Sequence, residues 1–216
     1  APNRHFMHGA GVNVVGAVGA SLAALAQGAA VRPVWEGREP ASVQAALARA
    51  FPADDPWGPG AVIDECRRAL PPQTIATVDS GAHRILLSQM WHCASPRSLL
   101  QSSGLCTMGC ALPLAIGAAA MAPGRPVVGF MGDAGFLMTT GELATAAERG
   151  LPVIFVVFVD QSLALIEKKQ RERQMPNEGV DFGWHDYAAI GRAFGGHGHR
   201  VTSRSELRAA LEAALA

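Results

Sequence analysis

The apolar positions of this chain fall into two patterns. Short continuous runs stop at small or acidic residues, and between them lie longer segments with helical spacing. Pro126–Met131 and Val153–Val159 are uninterrupted apolar runs, and Thr74–Val78 is a shorter one. Runs of this kind read as strands buried on both faces of a parallel sheet. Glu142–Arg149 has a helical pattern and lies between the two longest runs, which makes a βαβ unit. Further helices are expected over Ala61–Leu70, which Pro71-Pro72 stops, and over Asp186–Phe194, which Gly195-Gly196 closes. A last helix starts at Ser203, where Ser203-x-x-Glu206 has the spacing of a capping box. Upstream, Val12–Gln27 reads as strand, turn and alanine-rich helix. Residues 33–58 carry five of the chain's prolines or border on them, around one short helix, Ser42–Phe51, as a connection between domains would. Gln174–Trp184 is a polar loop. The expected fold class is α/β, with a mostly parallel sheet.

In such sheets ligands bind outside the carboxyl ends of the strands. Both long runs end in carboxylates there, at Gly132-Asp133-Ala134-Gly135 and at Asp160. Two carboxylates beside a glycine turn suit a hard divalent cation such as Mg²⁺ holding a phosphate, and glycines let the backbone approach that phosphate closely. The shorter run leads into Asp79-Ser80-Gly81-Ala82-His83, again with small residues at a carboxyl end. For His83 a plain core or helix-terminal histidine is the alternative.

These segments resemble the thiamine diphosphate (ThDP) enzymes, above all the acetolactate synthase branch. The motif of that superfamily opens with Gly-Asp-Gly and closes, a little under thirty residues later, with two asparagines. Here Gly132-Asp133 is intact, Ala134 takes the third place, and Val159-Asp160 stands at the pair, with "GELATAAERGLPV" between them. The stretch Cys106-Thr107-Met108-Gly109…Leu112-Pro113-Leu114-Ala115-Ile116-Gly117 is similar to a second recurring text of that branch, with Cys106 at its first glycine, and "AAIGRAFGGHG" to a third that leads into a final strand. The likeness is close over residues 74–202 and loose over 1–35.

The resemblance implies a doubly wound, flavodoxin-like domain that binds the ThDP diphosphate through Mg²⁺. Asp133, the Asp160 side chain and the Ser162 main-chain carbonyl would ligate the metal. Gly81, Ala82 and His83 stand where a Gly-Gln-His triplet touches the diphosphate, and the glutamine contact is absent. Gly132, Ala134, Gly135, Ser162, Leu163, Ala164 and Leu165 would complete the cofactor's surroundings. Met108 would be the wedge that keeps ThDP bent, a place that suits a flexible thioether, and the Cys106 carbonyl would accept from the aminopyrimidine. Leu165 and Ile166 would line the pocket above the thiazolium. Lys169 occupies the place of a tryptophan that, in biosynthetic acetolactate synthases, favours the larger second substrate, which counts against that activity. Asp160 adds negative charge beside an anionic diphosphate.

On this reading residues 1–35 are a remnant of a middle domain, 36–60 a linker and 61–216 the ThDP diphosphate-binding domain. The implied activity is carbon–carbon lyase or carboligase chemistry on a 2-oxo acid such as pyruvate. It would be completed by a pyrimidine-binding domain from a partner subunit or a missing N-terminal region, in a homodimer or homotetramer. FAD is compatible with the resemblance but draws no support from this segment. A non-catalytic ThDP-fold protein serving assembly or regulation is the rival, on the strength of Asp160, Ala82 and Ala134.

Composition narrows the field. Of 216 residues 49% are hydrophobic and 17% charged, enough for a sizeable core. The 18 basic and 18 acidic residues cancel, so no net field draws nucleic acid or an anionic membrane. No apolar run reaches the roughly 20 residues that span a bilayer. Cys66, Cys93, Cys106 and Cys110 form no CxxC pair and suit reduced thiols in the cytoplasm. The start at Ala1-Pro2, with no initiator Met or signal peptide, suggests a fragment or processed piece. Gly9-Ala10-Gly11 opens a dinucleotide-like fingerprint that fails at Val14, and no phosphate-loop motif is present. His197 and His199 lack a third ligand and read as structural or surface residues.

Overall fold

All three apolar runs form strands in the computed structural model, which describes residues 13–30, 34–35 and 37–216. The strands are β1 (Ile75–Val78), β2 (Leu99–Gln101), β3 (Val127–Gly132) and β4 (Val153–Phe158). They make one parallel sheet in the order β2-β1-β3-β4. The short strand β2 has no counterpart in the sequence reading.

Side chains alternate across this sheet, as the period of two requires. Ala76, Val78, Val128, Phe130, Ile154, Val156 and Phe158 enter one core with α3 (Pro59–Ala69), α4 (Ala82–Met90) and α10 (Arg204–Leu215). Met131, Phe155 and Val157 enter another, with α5 (Ala111–Met121), α6 (Asp133–Thr139), α7 (Glu142–Glu148) and α9 (Tyr187–Ala193). Helices therefore cover both faces, and the α/β, doubly wound expectation holds. Apolar runs rather than alternating ones were the signal because side chains of both faces enter a core.

Several boundaries follow from local chemistry. Helix α3 begins with Pro59 at its first turn, where the missing N–H costs nothing. Asp186 caps α9 by accepting from the Ala189 amide at 2.9 Å, and the Gly196 amide closes its other end on the Gly191 carbonyl. At α10 the Ser203 hydroxyl accepts from the Glu206 amide. The Glu206 carboxylate reaches back one residue further than a simple capping box, to the Thr202 amide at 2.7 Å. Helices α3 and α10 are joined by Glu65, whose side chain is 2% exposed and accepts from Arg208 Nε at 2.6 Å.

Three expectations need correction. The Gly132–Gly135 turn is instead the last residue of β3 followed by the first turn of α6. No final strand forms over residues 197–202; Val201 packs on the first core from irregular chain, and β4 remains half-buried along its length. The strand before the alanine-rich helix is also absent among residues 13–17, where Val14 and Val15 are exposed and no neighbouring strand takes up the backbone groups. The alanine-rich helix itself is α1 (Val18–Gln27). Gly9-Ala10-Gly11 lies outside the described residues. The chain divides into two compact units, Ala1–Val43 and Gln44–Ala216, and the boundary falls within α2 (Glu39–Ala50). The second unit holds every candidate site residue.

Candidate functional site

The order β2-β1-β3-β4 sends the chain from β1 to one side and brings it back on the other, so the direction in which strands are added reverses between β1 and β3. That is where open α/β sheets bind ligands. An aspartate stands at the carboxyl end of β1, of β3 and of β4: Asp79, Asp133 and Asp160.

Asp133 is 1% exposed. Its Oδ1 accepts from the Ala134 amide at 2.8 Å, and its Oδ2 accepts from the amides of Asp160 at 3.1 Å and Gln161 at 2.8 Å. One buried carboxylate thus ties the start of α6 to the turn after β4. The turn is tight enough to put Gln161 at φ 62°, a left-handed value rare for a residue with a side chain. The Asp160 side chain points outward, and its Oδ1 accepts from the Ser162 amide at 3.2 Å. Burial, and then the neighbouring Asp133 charge, push the Asp160 carboxyl above its usual range.

The segment after Asp160 is clamped by residues that sequence reading left in a polar loop. Ser162 and Asp181 form an isolated antiparallel bridge, the Leu163 amide donates to the Val180 carbonyl at 2.8 Å, and the Phe182 amide donates to the Gln161 carbonyl at 3.0 Å. Beside this clamp is an open cavity of about 260 Å³, lined by Ala134, Leu137, Leu163, Val180, Asp181 and Phe182. Leu163 is the N-cap of α8 (Ala164–Glu172), so Ala164, Leu165 and Ile166 form its first turn; Ile166 is 46% exposed. Lys169 lies exposed on the next turn.

Asp79 does for the other side what Asp133 does here. It is fully buried and accepts from the amides of Gly109 at 2.8 Å and Cys110 at 2.9 Å, which holds the 106–110 segment over the sheet edge. Gly135 leaves the space this carboxylate occupies, since a Cβ there would collide with Asp79 Oδ2. Ser80 Oγ donates to the Cys106 carbonyl at 2.6 Å. A carbonyl oxygen has two lone pairs, so one remains for a ligand. Met108, between these anchors, is half-buried.

His83 lies in the first turn of α4 and stacks on Phe158, with ring centroids 5.6 Å apart. A Cβ on Gly132 would stand 3.6 Å from the His83 ring, so the ring lies beside the start of the Asp133 turn. Gly81 has φ 156°, and a Cβ there would press to 2.6 Å from His83 Cε1, so only glycine leaves the imidazole its place. Burial lowers the His83 pKa, outweighing the opposing pull of Asp79, and its buried Nε2 has no partner among the described residues.

Gly132, Asp133, Ala134, Asp160, Ser162 and His83 therefore gather at the ends of β3 and β4, with Gly81 and Ala82 next to His83. Cys106 and Met108 stand over β1 through Asp79. Gly135 faces Asp79. Residues 79–216 match the family described as thiamine pyrophosphate enzyme, C-terminal TPP binding domain. This chain belongs to that family.

Among similar proteins, the acetolactate synthase of Bacillus subtilis (strain 168) is 35% identical over 159 residues, 72% of this chain and 28% of that protein. The acetolactate synthase isozyme 2 large subunit of Escherichia coli (strain K12) is 33% identical over 149 residues, 67% of this chain and 27% of that protein. The benzoylformate decarboxylase structure from Polynucleobacter necessarius superposes on 74% of this chain and 31% of its own, with a TM-score of 0.68 and 27% identity. The chain thus spans less than a third of the length of these relatives. Within the TPP-binding domain, Asp79, Ser80 and Asp181 are residues to which sequence reasoning gave no role. Asp79 could have been found, because it repeats the position of Asp133 at a strand end.

Proposed function

We propose that this chain supplies the diphosphate- and metal-binding half of a ThDP- and Mg²⁺-dependent enzyme that cleaves or forms a carbon–carbon bond at the carbonyl of a 2-oxo acid. The observation that carries this reading is the buried Asp133 carboxylate, which draws Asp160 and the Ser162 segment to one point beside Gly132. The donor set is one of hard oxygens, which suits Mg²⁺. Two buried polar atoms with no partner among the described residues, His83 Nε2 and Ser162 Oγ, lie in the same group of residues, as a site built for a polar ligand would have them.

In this reading Asp133, Asp160 and the Ser162 carbonyl hold the cation, and Gly81 and His83 meet the diphosphate. Met108 packs beneath the cofactor, and the Cys106 carbonyl accepts from its amino group. Leu165 and Ile166 exclude water above it. When bound, ThDP supplies the electron sink for breaking the bond next to the carbonyl. The activating carboxylate comes from a pyrimidine-binding domain, so the working form is a homodimer or homotetramer. The four free thiols fit a reducing cytoplasm. Among the described residues no helix is long and apolar enough to cross a membrane. A non-catalytic role in assembly or regulation is favoured by one observation, the like charges of Asp133 and Asp160. Turnover of any 2-oxo acid by the intact protein excludes it.

The test is calorimetric titration of ThDP into the intact protein, with Mg²⁺ or with EDTA. Binding that requires Mg²⁺ is expected. Asp133→Ala and Asp160→Ala should each abolish it, while circular dichroism shows the fold retained. Asp160→Ala is the cleaner variant, because Asp133 also satisfies three amides. Absent binding, or binding indifferent to both substitutions, would remove this reading.

A further inference from the structure

The stretch from Ser103 to Met108 crosses the end of the sheet with little to hold it. Gly104, Cys106 and Thr107 are exposed, Leu105 is 96% exposed, and a Cβ on Gly104 would meet nothing within 4 Å. The two flanks of the stretch are fixed from outside. The Ser102 carbonyl accepts from an Arg84 side-chain N–H at 3.1 Å, and the amides of Gly109 and Cys110 donate to Asp79. Between these flanks, one hydrogen bond from elsewhere in the chain reaches the stretch among the described residues. It runs from the Ser80 hydroxyl to the Cys106 carbonyl, at 2.6 Å.

That bond falls on a strained residue. Cys106 has φ 51°, in the left-handed region that a residue with a side chain enters at a cost and keeps only where its surroundings hold it. Ser80 is mounted to do so. It directly follows Asp79, which is fully buried at the end of β1, so its hydroxyl is carried by the sheet and not by a second loop. A carbonyl oxygen cannot donate, so the hydroxyl commits its one proton to this bond.

We propose that Ser80 is a positioning residue of the cofactor site, whose hydroxyl holds Cys106 in its left-handed conformation and keeps the Cys106 carbonyl turned to meet the ligand's amino group. The bond takes one lone pair of that oxygen and leaves the other for the ligand. A carbonyl fixed before the ligand arrives spares part of the ordering that binding otherwise requires, so the hydroxyl raises affinity without touching the ligand. This inference rests on the proposed ThDP site.

The experiment compares the intact wild-type protein with Ser80→Ala and Ser80→Thr. Each is titrated calorimetrically, in the presence of Mg²⁺, with ThDP and with an analogue that lacks the amino group of the pyrimidine ring. Ser80→Ala should bind ThDP about fivefold more weakly, the worth of one hydrogen bond, and should bind the analogue as the wild type does. Ser80→Thr keeps a hydroxyl and should bind ThDP as the wild type does. Unchanged ThDP affinity in Ser80→Ala overturns the inference. So does equal weakening towards both ligands, which would show a general effect on the segment and not on this carbonyl. A threonine variant as weak as the alanine variant overturns it too, because the hydroxyl would then not be the cause. If Ser80→Ala is silent while Asp160→Ala abolishes binding, the cofactor site stands and only the role of Ser80 falls. If the wild-type protein binds no Mg²⁺–ThDP, both fall.

Discussion

His83 shows how one residue records its surroundings in its titration. The imidazole is stacked on Phe158 and its buried Nε2 has no partner among the described residues, so burial favours the neutral form and lowers the pKa below the ordinary value of about 6.5. Below that value the unfolded chain takes up a proton that the folded chain resists. The stabilising contribution is complete above pH of about 6.5 and is lost as pH falls through the unfolded value towards the depressed folded one. The melting temperature of the metal-free protein should therefore drop between pH 7.5 and 5. His83→Phe, which keeps the stacking, should drop less. Parallel curves would show that the imidazole is not held neutral. From the sequence His83 could be a phosphate contact or a core histidine, and the structure gives it features of both, because its stacked face is core and its Cε1–Nδ1 edge lies beside Gly132.

Among the elements, the joint between β1 and α6 is set by Gly135 and Asp79. The Asp79 carboxylate fills the space a side chain on residue 135 would need, and it also holds the amides that start α5. Gly135→Ala forces either α6 or the carboxylate to move. A loss of about 1–3 kcal/mol is expected from overpacking, with an added loss of ThDP affinity as the 106–110 segment shifts. Denaturant unfolding measures the first and calorimetry the second; a neutral result in both would mean that α6 slides freely. The sequence motif offered Gly135 as a residue near phosphate. The structure gives its small size a second cause, visible only because Asp79 lies 56 positions earlier in the chain. Helices and strands were legible from periodicity wherever an element's own residues supply the reason. Pro59, Pro71-Pro72, Asp186 and Gly195-Gly196 each act within a turn or two. The final strand was not legible in this way. Whether residues 197–202 extend the sheet depends on the β4 edge and on what packs there.

For the molecule as a whole, the site is a set of irregular segments laid over one edge of a rigid sheet. Strand β1 and the first five residues of β3 are buried, whereas Leu105 is 96% exposed, Met138 61% and Ile166 46%. Filling the site should therefore order the rim and leave the sheet unchanged. On addition of Mg²⁺ and ThDP, amide hydrogen exchange is expected to slow over 106–110, 160–163 and 180–182, with no change in β1 or β3. Uniform slowing across the sheet would point to global stabilisation without a local site.

The sequence by itself determined the strand–helix alternation, the parallel sheet and the family, because apolar runs, caps and the Gly132-Asp133 to Asp160 text are contiguous features read along one dimension. It also determined which residue types, the oxygen donors at strand ends, are available for a cation. Only the tertiary structure decided how they combine: Asp133 beneath the amides of Asp160 and Gln161, Asp79 beneath those of Gly109 and Cys110, and Ser162 clamped to Asp181. These pairings join residues from 19 to 31 positions apart. Strand order and register decide which distant residues meet, and no local pattern of side chains encodes that choice.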